Sequence, residues 1–188
     1  MIAAALGLAS PSVPLAAQAP GANREIDSSA SPYWMALAVG GGGTRLTCDI
    51  CHPSRDLGPS ATLTLGSTAS SDLAVGVELG GWTHDEDEVR EWVYRAGVIA
   101  YLTLLGGRGL YAIGGFGWSG YRAEDFRYDA PRVSLGAGWD FPFVPGWSIG
   151  NQVILDASSM GSLKNDETTV ARRVGLSTVR VVIQLRNR

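Results

Sequence analysis

Apolar and polar positions alternate with a period of two along most of the chain, from about residue 32 onward. In the first alternating run, Met35, Leu37 and Val39 share one face, and Ala36 and Ala38 share the other. Successive side chains of a β-strand point to opposite faces of a sheet, so this pattern predicts a strand. Similar runs recur along the chain, and no segment has the period of an amphipathic helix.

Eight such runs are predicted, separated by turn-forming residues. They lie near residues 33–40, 61–66, 73–82, 90–104, 110–118, 132–141, 147–156 and 174–185. The short connections lie near 70–72, 106–109 and 144–146, and the longer ones near 45–58, 84–89, 122–130 and 157–169. Short turns on one side and long loops on the other are typical of outer-membrane barrels. We therefore expect an all-β fold, an eight-stranded antiparallel up-and-down transmembrane β-barrel.

The composition of the two faces indicates which one meets lipid. One face carries Leu, Val and Phe, whereas the other consists mainly of Gly, Ala, Ser and Thr with isolated charges. A narrow eight-stranded interior suits small and polar side chains, so the large apolar ones are expected to face lipid. Aromatic residues near the predicted strand ends would form a girdle at the lipid headgroups. The girdle candidates are Tyr33, Trp34, Trp82, Trp92, Trp118, Phe141 and Trp147.

Two charged residues are predicted to meet inside the barrel. If the third and fourth strands form a hairpin about residues 86–87, Glu78 falls opposite Arg95. We hypothesise that they form an ion pair that plugs the lumen. A buried ion pair is better evidence for structural specificity than for stability.

Three glycine-rich strand segments, residues 38–43, 73–82 and 109–117, carry a resemblance to a known family. The chain resembles the small outer-membrane β-barrel proteins of the OmpA/OmpX type. The resemblance implies the outer membrane of a Gram-negative-type bacterium, contact with outer-membrane lipid and the barrel-assembly machinery, and a role in envelope integrity, adhesion or surface interaction. Such barrels usually end on an aromatic residue. Residues 183–188 contain none, so Leu185 would have to take that place.

The N-terminal residues predict an export signal. Ile2–Ala9 is an apolar run too short to span a bilayer as a helix, and residues 17–19 form a small-residue cleavage site. Because a positively charged n-region is missing, we expect the natural start to lie upstream. No later stretch predicts a transmembrane helix, which leaves a closed barrel as the spanning structure. The expected organisation is a signal peptide at 1–19, a flexible lead-in at 20–31 and a β-barrel domain at 32–188.

The charge of the chain and its two cysteines narrow the range of functions. The 188 residues carry a net charge of −3 and no Lys/Arg cluster, which argues against a nucleic-acid partner. In an exported protein, Cys48 and Cys51 favour a local disulfide. Cys48, Cys51 and His52 also read as C-x-x-C-H, the attachment signature of c-type haem, with His52 as the iron ligand. We expect the disulfide and no cofactor, and a haem-bearing surface protein is one alternative.

No catalytic site and no metal site are predicted. His84 beside Asp85 would be a general base at a barrel rim, but the sequence offers no nucleophile motif. The acidic run 85–88 lacks the ligand spacing of a calcium loop. We expect a non-enzymatic outer-membrane barrel with a structural, surface-interaction or narrow-pore role, whose long loops are open to an extracellular ligand. A second alternative is an exported, soluble, lipocalin-like barrel around a small apolar ligand, which requires large apolar residues inside.

Overall fold

The computed structural model describes residues 33–49, 51, 54–86, 89–104, 109–165 and 168–187. The predicted signal peptide (1–19), the lead-in (20–31) and His52 of the C-x-x-C-H motif lie outside the described residues. Within the described residues, no helix has the length and apolar character that a membrane crossing requires.

The described part of the chain forms eight antiparallel strands in one closed barrel. The strands are β1 (Tyr33–Thr47), β2 (Asp56–Thr68), β3 (Leu73–Glu86), β4 (Val89–Thr103), β5 (Leu110–Ala123), β6 (Phe126–Val144), β7 (Trp147–Asn165) and β8 (Thr168–Asn187). Strands that are neighbours in sequence are neighbours in the barrel, and β1 pairs with β8 to close it. This confirms the predicted all-β, up-and-down architecture.

The two ends of the barrel are named here by the ends of β1. At the Tyr33 end, the strands are joined through residues 69–72, 104–109 and 145–146. At the Cys48 end, they are joined through residues 48–55, 87–88, 124–125 and 166–167. The predicted difference between short and long connections is therefore wrong, since three of the four connections at the Cys48 end have only two residues.

The residues predicted as long loops extend the strands instead. Residues 126–130 belong to β6 and residues 157–165 to β7, and each of these strands has 19 residues. Alternation continues there, because Arg127 is exposed while Tyr128 is fully buried. Of the charged residues that predicted a loop at 122–130, Arg122 lies on β5, Arg127 and Asp129 lie on β6, and only Glu124 and Asp125 form the turn between the two strands.

Three layers of side chains fill the barrel interior. The apolar cluster at the Cys48 end consists of Trp82, Val93, Tyr121, Ala123, Tyr128, Ala130, Leu163, Val174 and Leu176. The apolar cluster at the Tyr33 end consists of Trp34, Ala36, Ile99, Tyr101, Tyr111, Ile113 and Ile154. The polar layer between them contains Glu78, Arg95, Arg132, Asp156 and Arg180, each at most 5% exposed. On β4, for example, Arg95 lies between Val93 of one cluster and Ile99 of the other.

Closure of the barrel requires a close approach of β1 to β8. Gly40 pairs with Val182, and a Cβ atom on Gly40 would lie 2.2 Å from the carbonyl oxygen of Val181. A side chain at this position would therefore force the two strands apart. At the next residue, Gly41, a Cβ atom would come no nearer than 3.9 Å to its closest neighbour, the carbonyl oxygen of Gly58.

We predict that Gly40→Ala destabilises the folded barrel by about 1–3 kcal/mol, because the added methyl group overpacks the β1–β8 seam. Gly41→Ala, one residue away, is expected to leave stability nearly unchanged. Urea titration of the refolded protein measures both free energies of unfolding. The mobility difference between unboiled and boiled samples on a gel reports whether the barrel has closed. Equal effects of the two substitutions would mean that the seam does not depend on Gly40.

Candidate functional site in the barrel interior

Four charged side chains form a closed ring of ion pairs in the polar layer. Arg132 donates from Nη2 to Oε1 of Glu78 at 2.8 Å, and its Nη1 lies 3.3 Å from Oδ1 of Asp156. Arg180 donates from Nε to Oδ2 of Asp156 at 2.8 Å, and its Nη2 lies 3.7 Å from Oε2 of Glu78. Each carboxylate therefore meets both guanidinium groups. We call these four residues the ion ring.

The ion ring connects strands that are not all neighbours. Glu78 lies on β3, Arg132 on β6, Asp156 on β7 and Arg180 on β8. All four occupy inward positions of their strands, and the pairs to Glu78 span the lumen. The ring therefore fixes opposite walls of the barrel to each other.

Arg95 adds a third guanidinium to this layer. Its Nη2 donates to the hydroxyl oxygens of Ser60 at 3.1 Å and Thr62 at 3.2 Å. Its Nε and Nη1 have no hydrogen-bond partner among the described residues. With Arg95 the layer holds three arginines against two carboxylates, so its formal charge is positive.

The predicted direct pair of Glu78 with Arg95 is corrected by the register of β3 and β4. Glu78 pairs with Gly97, and Arg95 pairs with Gly80, two residues away from the expected register. Both side chains do point inward, at 1% and 2% exposure. Glu78 instead reaches across the lumen to the arginines of β6 and β8, which reasoning about neighbouring strands did not anticipate.

A second buried ion pair lies toward the Tyr33 end and was not predicted. Arg186 Nη1 lies 2.9 Å from Oδ2 of Asp140. Three aromatic rings surround the same guanidinium, those of Trp34 at 5.3 Å, Tyr101 at 4.5 Å and Tyr111 at 5.1 Å. Cation–π contacts of this kind strengthen when water is excluded. The alternation pattern relates Arg186 neither to Asp140 nor to these three rings.

The predicted girdle is divided between the two faces of the barrel. Four of its candidates face outward and are 50% exposed or more, namely Tyr33, Trp92, Trp118 and Phe141, and Trp147 is partly exposed. Trp34 and Trp82 were wrongly included, since they are only 4% and 1% exposed. Both occupy inward positions, and Trp82 donates from Nε1 to the carbonyl oxygen of Gly42 at 2.9 Å. These two aromatic side chains fill the lumen and do not face outward.

The cysteines form the predicted disulfide, Cys48–Cys51, directly after β1. Thioether attachment of haem requires both sulfur atoms, and here they are bonded to each other. The structure therefore favours the disulfide over the haem alternative at this motif.

The residues weighed for catalysis have structural contacts. His84 Nδ1 lies 2.7 Å from the carbonyl oxygen of Leu57, and its ring stacks on Trp82 with centroids 6.0 Å apart. Asp85 accepts a hydrogen bond from Arg90 Nε at 2.7 Å, which raises the pKa of Arg90 above its ordinary value. Among the residues that the structure describes, no group of three or more His, Cys, Asp or Glu side chains is placed to hold a metal ion.

Solved outer-membrane barrels have the same fold. The structure of Neisserial surface protein A aligns with a TM-score of 0.60 at 12% identity, over 84% of this chain and 97% of that one. Ail, the attachment invasion locus protein of Yersinia pestis, aligns with a TM-score of 0.54 at 13% identity, over 83% and 99%. No protein-family model and no curated protein sequence matches the chain. The expected resemblance to small outer-membrane barrels is therefore confirmed at the level of the fold.

We predict that Asp156→Asn lowers the free energy of unfolding by about 3–5 kcal/mol, because it leaves two buried guanidinium groups with one carboxylate. Asn has nearly the same volume, so packing is preserved. The matched control is Asp85→Asn, which removes the same charge from an exposed pair and is expected to change stability little. Urea titration in lipid vesicles measures the free energy of unfolding of both variants. A loss no larger than that of the control would contradict a stabilising role for the ion ring.

Proposed function

We propose that this protein is a non-enzymatic barrel of the outer membrane of a Gram-negative-type bacterium, with a closed lumen and a structural or surface-interaction role. The observation that carries the proposal is the outward-facing belt of large apolar side chains around a closed barrel. A soluble protein rarely exposes so large a contiguous apolar surface. Exposed members of the belt are Leu37, Val39, Leu65, Val77, Leu79, Val98, Phe116, Val133, Leu135, Val153, Leu155, Val181 and Ile183.

The height of the belt fits a membrane. On β4, exposed apolar side chains run from Trp92 to Leu102. Ten steps of about 3.3 Å, on a strand tilted by about 40°, cover roughly 25 Å along the barrel axis. This height matches that of the apolar band of outer-membrane barrels, so the whole belt would lie against lipid without a change in the conformation of the barrel.

The polarity of the two faces argues against the soluble, lipocalin-like alternative. A ligand-binding cup of that kind requires large apolar residues inside and polar ones outside. Across the belt the arrangement is the reverse, with Leu135 exposed and its neighbour Ser134 fully buried. The inward face at this level holds the ion ring, which leaves little room for an apolar ligand.

The contents of the lumen support a structural role over a pore. The ion ring spans the interior, and apolar clusters pack on both sides of it. An ion crossing the barrel would have to break the pairs among buried charges, which is costly. Because the charged groups of the ring pair with one another, we also propose that the lumen has no catalytic role.

The Cys48 end is proposed to face the exterior of the cell. Beyond the belt on this side the outer face is charged, and Arg122 pairs with Asp129 at 3.0 Å. The extracellular loops of outer-membrane barrels are longer than the periplasmic turns, and at this end residues 126–130 and 157–165 extend the strands in place of such loops. An extracellular ligand would meet this end, while outer-membrane lipid and the barrel-assembly machinery remain the other proposed partners.

We predict that Leu135→Arg, in the middle of the belt, destabilises the barrel in lipid by about 2–4 kcal/mol, because a guanidinium must enter the hydrocarbon. Ser159→Arg, at an exposed position of the neighbouring strand β7 that is closer to the Cys48 end, is the matched control and is expected to cost much less. Titration with guanidinium chloride in lipid vesicles measures the free energy of unfolding of both variants. Equal and small effects would contradict the membrane assignment.

We also predict that the purified barrel shows no steady ion conductance in a planar bilayer, because the ion ring and both apolar clusters close the lumen. Insertion is verified independently, from the gel mobility shift of protein recovered from the same vesicles. Reproducible conductance steps from inserted wild-type protein would contradict the closed lumen and restore the narrow-pore role.

A further inference from the structure

A cavity of about 240 Å³ lies at the Cys48 end of the barrel, beside the apolar cluster of that end. Leu46, Tyr121, Phe126 and Leu163 supply its apolar walls, and Asp56 and Glu91 supply its charge. No arginine or lysine is among its described lining residues. We propose that this cavity binds a small organic cation, an ammonium group on an apolar body of about one ring.

Glu91 gives the cavity a negative charge that favours a cationic ligand. Its Oε1 accepts a hydrogen bond from the hydroxyl of Tyr121 at 2.5 Å. Its Oε2 is buried and has no hydrogen-bond partner among the described residues. A buried carboxylate oxygen without a donor costs free energy, and the positive charge of an ammonium group bound in the cavity would lower that cost.

Asp56 places a second carboxylate on the same cavity. Its Oδ1 accepts a hydrogen bond from Ser54 Oγ at 3.2 Å, a neutral donor, and no described arginine or lysine lines the cavity beside it. Two carboxylates without an arginine or lysine among the described lining residues favour a positive ligand and disfavour a negative one. This local charge contrasts with the surplus of arginine in the polar layer deeper in the barrel.

The size and the walls of the cavity define the rest of the ligand. The volume is below the roughly 300–1,000 Å³ of sites that take drug-sized molecules, so it suits a smaller molecule. Tyr121 and Phe126 offer aromatic surface, which attracts both apolar bodies and cations. A bare metal ion fits less well, since it would gain nothing from this apolar lining.

Calorimetry with the folded barrel in lipid nanodiscs tests the proposal. The probes are 2-phenylethylammonium, its neutral isostere 2-phenylethanol, and 3-phenylpropionate, with empty nanodiscs correcting for partition into lipid. We expect saturable binding of the ammonium, at least tenfold weaker binding of the alcohol, and none of the carboxylate. Equal binding of ammonium and alcohol, or no saturable binding, would overturn the proposal.

Glu91→Gln separates the charge from the shape of the site, because Gln keeps an acceptor for Tyr121. It is expected to weaken binding of the ammonium at least tenfold and to leave binding of the alcohol unchanged. Asp85→Asn, which removes a carboxylate from an exposed pair outside the cavity, is the matched control and should bind as the wild type does. An unchanged affinity in Glu91→Gln would overturn the role of this carboxylate.

The gel mobility shift verifies that each variant has folded before it is titrated. Should Glu91→Gln fail to fold, Asp56→Asn carries the same comparison at the second carboxylate. A barrel that inserts in lipid, shifts on boiling and binds no ammonium contradicts only the cavity proposal. The proposed membrane function is tested separately, through the belt substitutions.

Discussion

The structure depends on closure, since every strand of the described barrel has hydrogen-bonded neighbours on both sides. A lipid environment offers no partner to an open strand edge, so closure is the condition for strands to span it. Closing only eight strands fixes a narrow interior, which side chains must fill completely. Gly40 lets β1 approach β8 at the seam. Any charge inside so narrow a lumen loses water and must find a partner, as Glu78 and Asp156 do.

The barrel changes polarity along its axis. In the belt, apolar residues face outward and polar residues inward, as Leu135 and Ser134 illustrate. Toward the Cys48 end the same β6 strand exposes Asp129 and Arg127 and buries Tyr128. This end has an apolar core inside and a charged outer face, as a soluble barrel has, so in the proposed membrane placement it would extend beyond lipid without long loops. The cavity beside Glu91 lies in this second type of interior, which explains its apolar walls.

The alternation of side chains predicted the number and order of the strands, because it depends on neighbours in sequence, but it did not predict how far β6 and β7 extend. The register was not predictable in the same way, and an error of two residues moved the expected partner of Glu78 from Gly97 to Arg95. Contacts across the lumen, such as that of Glu78 with Arg132, involve strands that no local pattern relates. For Trp34 and Trp82, alternation already indicated the inward face. Their nearness to strand ends predicted a girdle, but the inward position along the strand determines where these two side chains lie.

The ion ring distinguishes the correct strand register from shifted ones, which the repetitive strand sequences alone do not. A slip of one residue between two strands would turn the apolar face inward and is excluded by polarity alone. A slip of two residues keeps every side chain on its own face, so polarity cannot exclude it. Many belt positions are Leu or Val and many inward positions are Gly, Ala, Ser or Thr, so packing discriminates weakly between such registers. Only unique contacts do so, and a two-residue shift of β3, about 6.6 Å along the strand, would carry Glu78 away from Arg132 across the lumen. The buried charges, costly in themselves, thus select one register for the closed barrel.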